Sequence, residues 1–223
     1  LLTDTLFFIA MNLNFPVGTT SYFTKETFAL TALTKEEQQL AQDFDNRRIR
    51  DYVRGRYCAH QCLRLCDVDV PILKDGDGVP IWPDGLIGSI SHTFDIAGAV
   101  VAKKNDYLSI GLDIEQIGRI NRELWPVLFT VKEQKDLMDQ PFHLRQSMSA
   151  VIFSLKEAYF KMQFPLTRIG LEFEDISIIF ARSGGVKFDL SKLNDLSGTI
   201  SCDFTILGNL VVSYVLCKQN ELV

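Results

Sequence analysis

The stretch Ser109-Ile110-Gly111-Leu112-Asp113-Ile114-Glu115-Gln116 reads as one β-strand with two unlike faces. Side chains alternate across a strand, so Ile110, Leu112 and Ile114 share one face and Asp113 and Glu115 point the other way. Two carboxylates two residues apart on one face lie within reach of a single ion. Like charges that close repel unless a cation or a proton sits between them. Taken alone, a half-buried strand with a solvated acidic face is the simpler account, because structural charges also cluster. The flanking sequence reverses that preference.

The chain has 223 residues, enough for one large domain or two small ones, with 47% hydrophobic and 23% charged residues as in ordinary globular proteins. A net charge of -5 argues against broad nucleic-acid binding but leaves room for a local basic pocket that takes a phosphorylated ligand. The five Cys include no Cys-x-x-Cys pair. Cys58, Cys62 and Cys66 line one face of a helix and read as a stripe of small core residues rather than a metal or redox site. An odd cysteine count without a disulfide framework suits a reducing cytoplasm. The apolar run Leu6 to Met11 is too short to span a membrane, and no basic region precedes it, so neither a membrane span nor a signal peptide is expected.

Residues 6–15 read as a strand. Thr34-Lys35-Glu36-Glu37 is a capping box that opens a helix to about Phe44. A longer helix follows from about Asp45 to Leu65. It carries Arg47, Arg48, Arg50, Arg54 and Arg56, some of which must form a solvated face. Gly55 inside that helix costs about 1 kcal/mol against Ala, which implies that a packed element or a ligand approaches closely there. Asp69 to Trp82 reads as a hairpin around Lys74-Asp75-Gly76-Asp77-Gly78. It is too short for an EF-hand and lacks the terminal Glu, so its Asp-Gly pairs are turn signals. Gly88-Ser89-Ile90-Ser91-His92-Thr93 and Ile96 to Lys103 are strands. Ser91 and His92 face opposite sides and cannot act as nucleophile and base; alone, His92 is a strand-end residue. Gln116 to Phe129 is irregular, and its Leu124, Trp125 and Phe129 mark either a partner surface or a loop folded back on the core. A second capping box, Thr130-Val131-Lys132-Glu133, opens a helix to about Gln140. A long helix from about His143 to Gln163 ends at Pro165, and four strands follow, at 176–180, 186–190, 198–205 and 210–217.

These elements repeat: capping box, short helix, long helix, hairpin and further strands occur twice. The expected fold is therefore α+β, with two similar α/β subdomains related by a pseudo-twofold axis, each an antiparallel sheet packed on a long helix. The expected units are 1–108 and 109–223, with a ligand cleft at their junction, where Asp113 and Glu115 lie.

Three motifs converge on that junction: Ser89-Ile90-Ser91-His92; Gly111-Leu112-Asp113; and Phe153-Ser154-x-Lys156-Glu157-x-x-x-Lys161. In this order and spacing they resemble the signature of the 4′-phosphopantetheinyl transferase superfamily, in its surfactin-type, two-half branch. The stretch Trp82-Pro83-x-Gly85-x-x-Gly88-Ser89-Ile90-Ser91-His92 looks most like the enterobactin synthase component D subgroup, and Gly55-Arg56 fits it too. The resemblance covers about residues 45 to 165. It implies an enzyme that moves phosphopantetheine from coenzyme A onto a serine of an apo acyl or peptidyl carrier protein and releases adenosine 3′,5′-bisphosphate. It further implies Mg²⁺ (or Mn²⁺) as cofactor and a monomer in the cytoplasm. The pathway expected is siderophore or other nonribosomal peptide synthesis.

By this resemblance Asp113, Glu115 and Glu157 hold the metal, which favours hard oxygen ligands. Glu157 is also the candidate general base for the serine proton. Lys161 stabilises charge on the leaving phosphate, with Lys156 doing the same or serving the structure. Ser91 and His92 meet the phosphates, and His92 counts with Glu157 and Lys161 among the catalytic groups. Arg56 with Arg47 or Arg48 takes the 3′-phosphate, which a planar fork suits. Without the resemblance, Glu157 and Lys161 are a surface ion pair on one helix face. One feature departs from the branch: Val79-Pro80 stands where a basic residue often precedes the proline, which shifts phosphate contact to Lys74 or to backbone amides. The carrier is expected to dock by apolar contact through Leu124, Trp125 and Phe129, ringed by Arg122 and Lys132. Two other readings are a non-catalytic module that binds coenzyme A or a carrier, and a Mg²⁺-dependent phosphohydrolase.

Overall fold

The computed structural model describes residues 15–181, 185–190 and 198–219. Its elements are β1 (Thr19–Thr24), α1 (Lys35–Leu40), α2 (Asn46–Arg64), β2 (Leu73–Lys74), β3 (Pro80–Ile81), β4 (Leu86–Thr93), β5 (Ile96–Lys103) and β6 (Ser109–Gln116). The chain continues through α3 (Trp125–Leu128), α4 (Val131–Asp139), α5 (Phe142–Thr167), β7 (Ser177–Phe180), β8 (Val186–Asp189), β9 (Gly198–Leu207) and β10 (Leu210–Gln219). The expected strand over residues 6–15 lies almost wholly outside the described residues, while β1 had no alternation strong enough to mark it.

The strands form two antiparallel three-stranded sheets, β1-β5-β4 and β6-β10-β9, and two short hairpins, β2-β3 and β7-β8. The α+β architecture with a twice-used element order is therefore present. Period-two alternation explains the layering. On β5, Ala97, Ala99 and Val101 meet Cys58, Ala59, Cys62 and Leu63 of α2. The alternate positions Ile96 and Val100 meet Ile110, Leu112, Ile114, Val212 and Tyr214 of the second sheet. The sheets thus pack face to face, with α2 and α5 on their outer faces. Cys58 and Cys62 sit in this core as small apolar groups. Their thiols donate to the carbonyls of Ala97 and Ala99, and burial pushes Cys58 up to about 12.

Both capping boxes form as the sequence indicated, and they explain the duplication physically. Glu37 caps α1 and also receives His60 of α2 and the backbone N–H of Ile72. Glu133 caps α4 and receives Lys156 of α5 and the N–H of Ile178. The glutamate and its helix partner are 23 residues apart in both cases. Each unit is thus locked by one buried carboxylate that joins short helix, long helix and hairpin strand. Burial opposes ionisation of Glu37, but the bonds from His60 and Ile72 hold its pKa below the usual carboxylate range.

Two expectations need correction. Pro165 does not end α5; the helix runs on to Thr167 and stops at Arg168, whose φ of 58° is left-handed. Pro165 falls in the last turn, where one missing N–H removes one bond and the helix tolerates it. The segment before α4 does not present its aromatics as a partner surface but folds them back on the core: Trp125 is 6% exposed and Phe129 0%, both packed with Leu137, Ile152 and Leu155.

Gly111 sets the distance between β6 and α5. A Cβ there would lie 1.8 Å from the carbonyl oxygen of Ala158 and 2.7 Å from the nitrogen of Met162, both backbone atoms that no rotamer change can move. Gly111→Ala should therefore cost about 3 kcal/mol, read as a lowered denaturation midpoint at unchanged slope.

Candidate functional site

The site grows from a seam between the two sheets. Among the described residues, strand β6 pairs with β10 on one edge only; β4 approaches its other edge without a ladder. Two serine hydroxyls replace the missing carbonyl acceptors: Ser89 Oγ accepts from Leu112 N at 2.9 Å and Ser91 Oγ from Ile114 N at 3.1 Å. Buried backbone donors need such partners, so Ser-Ile-Ser is what allows the halves to meet here. The alternation of β4 turns Ser91 toward β6 and His92 toward α2.

The face of β6 that carries Gly111, Asp113 and Glu115 lies under α5. One turn of helix spacing places Glu157 and Lys161 above them. Lys161 Nζ donates to Asp113 Oδ1 at 2.7 Å and to Ser91 Oγ at 2.9 Å, and Ser91 Oγ donates to Asp113 Oδ1 at 3.1 Å. Ser91 thereby makes one donation and accepts twice, the full capacity of a hydroxyl. The sequence suggested Ser91 as a ligand contact; its geometry is that of a brace for Asp113 and Lys161. Glu115 Oε1 accepts from Gln116 N and lies 3.4 Å from Arg119 Nη1. Burial, with Asp113 as a neighbour, raises the pKa of Glu115; burial, with Asp113 and Glu115, also raises that of Glu157.

Two clefts flank this cluster. One, of about 410 Å³, is lined by Phe44, Arg47, Arg48, Tyr52, Arg56, Lys74 and His92. It gathers three arginines proposed from sequence with His92 and with Lys74, the suggested substitute for the missing basic residue. Gly55 lies in its wall because α2 approaches β4 there: a Cβ would come within 2.9 Å of Ile90 Cγ2. Arg48 stacks 4.0 Å over Phe44, and Arg56 lies 5.1 Å from the Tyr52 ring centre. His92 Nδ1 is 3.8 Å from Asp51 Oδ2; partial desolvation, aided by Lys161, outweighs Asp51 and holds the imidazole pKa below its ordinary value. The second cleft, of about 470 Å³, is mostly apolar. Trp82, Ile87, Leu108, Phe160 and Phe164 wall it, and Lys161 stands at its edge.

Lys156 does not reach either cleft or the carboxylates. It is fully buried on another face of α5, and its three N–H groups go to Glu133 Oε2 at 2.7 Å, Phe173 O at 2.7 Å and Leu128 O at 3.2 Å. Of the two roles considered for it, the geometry favours the structural one. Tyr52 and Asp51 escaped the sequence reading, since neither stands in a motif, while Ser89 stood in the Ser-Ile-Ser-His motif without a role assigned to it.

The pattern of unsatisfied atoms points to the same place. Five buried side-chain N or O atoms have no hydrogen-bond partner among the described residues, and three belong to this site: Tyr52 OH, Asp113 Oδ2 and Arg56 Nε, the last lying 4.0 Å from Glu37 Oε1. Buried polar atoms are normally bonded, so orphans gathered at one site imply a polar ligand. Asp113, Glu115 and Glu157 are hard oxygen donors of the kind a divalent cation takes; Asp113 Oδ2 has no hydrogen-bond partner among the described residues, and burial, with the neighbouring carboxylates adding to it, raises both glutamate pKa values. No three His, Cys, Asp or Glu side chains converge closely enough to hold a metal among the described residues, and the Lys161 ammonium occupies Asp113 Oδ1. No helix among them is long and apolar enough to cross a membrane.

Comparison with known proteins gives matches over the same region. Residues 35–102 match the 4′-phosphopantetheinyl transferase N-terminal domain, and residues 109–215 match the 4′-phosphopantetheinyl transferase superfamily. The chain is 34% identical over 152 residues to 4′-phosphopantetheinyl transferase PptT of Mycobacterium tuberculosis, covering 68% of this chain and 66% of that protein. It is 34% identical over 159 residues to 4′-phosphopantetheinyl transferase Npt of Nocardia iowensis, covering 70% and 69%. It is 36% identical over 120 residues to enterobactin synthase component D of Salmonella typhimurium, covering 52% of this chain and 48% of that one. The match thus spans about two thirds of the first two relatives and half of the third.

Proposed function

Because this chain belongs to the 4′-phosphopantetheinyl transferase superfamily, we propose that it moves phosphopantetheine from coenzyme A to a serine hydroxyl of an apo acyl or peptidyl carrier protein. The observation that carries this reading is the seam, where the Asp113–Ser91–Lys161 cluster lies between an arginine-lined cleft and an apolar one. Coenzyme A has matching parts. Its 3′-phosphoadenosine end suits Arg47, Arg48, Arg56 and Lys74; its pyrophosphate suits His92 and Lys161; its uncharged arm suits the apolar cleft.

The site residues divide the chemistry. Asp113, Glu115 and Glu157 would hold Mg²⁺ (or Mn²⁺), which supplies Lewis-acid neutralisation of the pyrophosphate when bound. Glu157, with its raised pKa, takes the proton of the attacking serine, since a base works best when its pKa nears the working pH. Lys161 stabilises charge as the bond from phosphorus to the leaving phosphate breaks. Ser91 fixes Asp113 and Lys161 relative to one another. The units 1–108 and 109–223 supply the nucleotide side and the acidic side respectively. The setting that fits is siderophore or other nonribosomal peptide synthesis in the cytoplasm, with the protein acting as a monomer.

Trp125 and Phe129 lie in the core and cannot be the carrier contacts that the sequence suggested. The exposed apolar groups of that segment are Leu124, Val127 and Val131. Val127→Asp should weaken carrier affinity by about tenfold and leave coenzyme A binding unchanged, measured by titration calorimetry of each. Equal loss of both would remove this surface from the docking account.

The reaction itself is tested by chromatography of the nucleotide product. With coenzyme A, Mg²⁺ and an apo carrier, adenosine 3′,5′-bisphosphate should appear in step with modified carrier. Coenzyme A binding without product would indicate a non-catalytic module; phosphate release without carrier modification would indicate a hydrolase.

A further inference from the structure

We propose that Arg168 is a latch: it ties the turn of the β2–β3 hairpin to the end of α5 across the apolar cleft, and the arm of coenzyme A enters and leaves when that tie opens. This rests on the transferase reading, which lays coenzyme A across both clefts, and it names the residue that gates the arm side. Arg168 Nη1 donates to Asp75 Oδ2 at 2.6 Å and to Asp77 Oδ2 at 3.1 Å, across 93 and 91 residues of chain.

The tie joins the two walls of the apolar cleft. Residues 77–80 of the hairpin line one side, and Phe160, Phe164 and Leu166 of α5 line the other. The Arg168 guanidinium carbon lies 5.8 Å from the centre of the Phe164 ring. Gly78 also lines the arginine-rich cleft, so the turn stands where the two clefts meet. A ligand whose charged end fills one cleft and whose uncharged arm fills the other passes beside this turn.

The tie is built to open. Among the described residues the hairpin pairs with no further strand. Its turn holds its own shape, because Asp75 Oδ1 accepts from the N–H groups of Asp77 and Val79 at 3.0 and 2.9 Å. The turn can therefore move as a unit when the arginine lets go. All three charged side chains are partly exposed, and exposed ion pairs are weak and break readily. Arg168 also ends α5 with a left-handed φ of 58°, a helix-end conformation that glycine most often fills. An arginine there costs the backbone some strain, which its side chain has to justify. Asp75-Gly76-Asp77-Gly78 thus supplies more than a turn: it presents two carboxylates to the latch.

The test measures coenzyme A association and dissociation rates on the full chain by stopped flow, with adenosine 3′,5′-bisphosphate as a ligand that lacks the arm. Arg168→Gly suits it, since glycine adopts a positive φ freely and the fold should hold, checked by thermal melts. Both coenzyme A rates should rise about threefold in this variant with Kd nearly constant, because entry and exit share the opening step. The bisphosphate rates should not change. Arg168→Lys keeps the charge without the planar fork and should fall between wild type and Arg168→Gly. Removing a cation beside an anionic ligand slows association, so faster association cannot come from the lost charge. Unchanged or slower coenzyme A association in Arg168→Gly overturns the proposal, as does an equal change for the bisphosphate. Carrier modification by wild type, with unchanged coenzyme A rates in Arg168→Gly, defeats only the latch. Faster coenzyme A exchange in Arg168→Gly, with no carrier modification by wild type, defeats only the transferase reading.

Discussion

Replacing Lys156 with Met should lower the stability of the free protein by about 3–5 kcal/mol, because it leaves a buried carboxylate without its charge partner. Lys156 has no exposed surface, and its ammonium donates to the Glu133 carboxylate and to the carbonyls of Leu128 and Phe173. Burial alone pulls its pKa below that of an ordinary lysine, with Glu133 opposing the shift. Removing the cation strands Glu133 and two carbonyls together. The double variant Lys156→Met/Glu133→Leu should recover part of the loss, which a denaturant series on the four proteins of the cycle would show. Loss of transfer in Lys156→Met without loss of stability would return Lys156 to the phosphates.

Glu157→Gln should have the opposite signature. Transfer should fall by about 10³-fold in single-turnover assays, since a positioned base is lost. In metal-free buffer the same variant should be more stable than wild type by about 1 kcal/mol, the usual gain when a strained active-site group is relieved. The sign follows from burial. The folded-state pKa of Glu157 is raised above its unfolded value, so ionisation destabilises the fold. Stability from this group is therefore complete at low pH and is lost as pH rises through the folded pKa. Gln stays neutral throughout, so its advantage should be largest near neutrality and above and should shrink as pH falls toward the ordinary carboxylate range. Thermal melts at several pH values check this.

Much of this arrangement was legible in the residues. The Thr-x-x-Glu boxes at 34 and 130 announced the duplication because each satisfies its own local donors, independent of distant contacts. Alternation along 109–116 gave the strand and its acidic face correctly. What stayed hidden depended on tertiary partners. The role of Ser89 and Ser91 needs the unpaired edge of β6 beside them, which no local pattern encodes. Trp125 and Phe129 looked like loop aromatics because the short helices that bury them have weak periodicity. Lys156 shared a motif with Glu157, yet adjacent helix positions point about 100° apart, and only the second box, 23 residues earlier, shows what it faces.

The central claim is that the cluster at the seam transfers phosphopantetheine. The intact mass of an apo carrier, incubated with coenzyme A, Mg²⁺ and either wild type or Asp113→Asn, tests it most directly. The account predicts a gain of one phosphopantetheine unit with wild type and no detectable gain with a folded Asp113→Asn protein in the same time. An unmodified carrier with wild type, or full modification by Asp113→Asn, would contradict it.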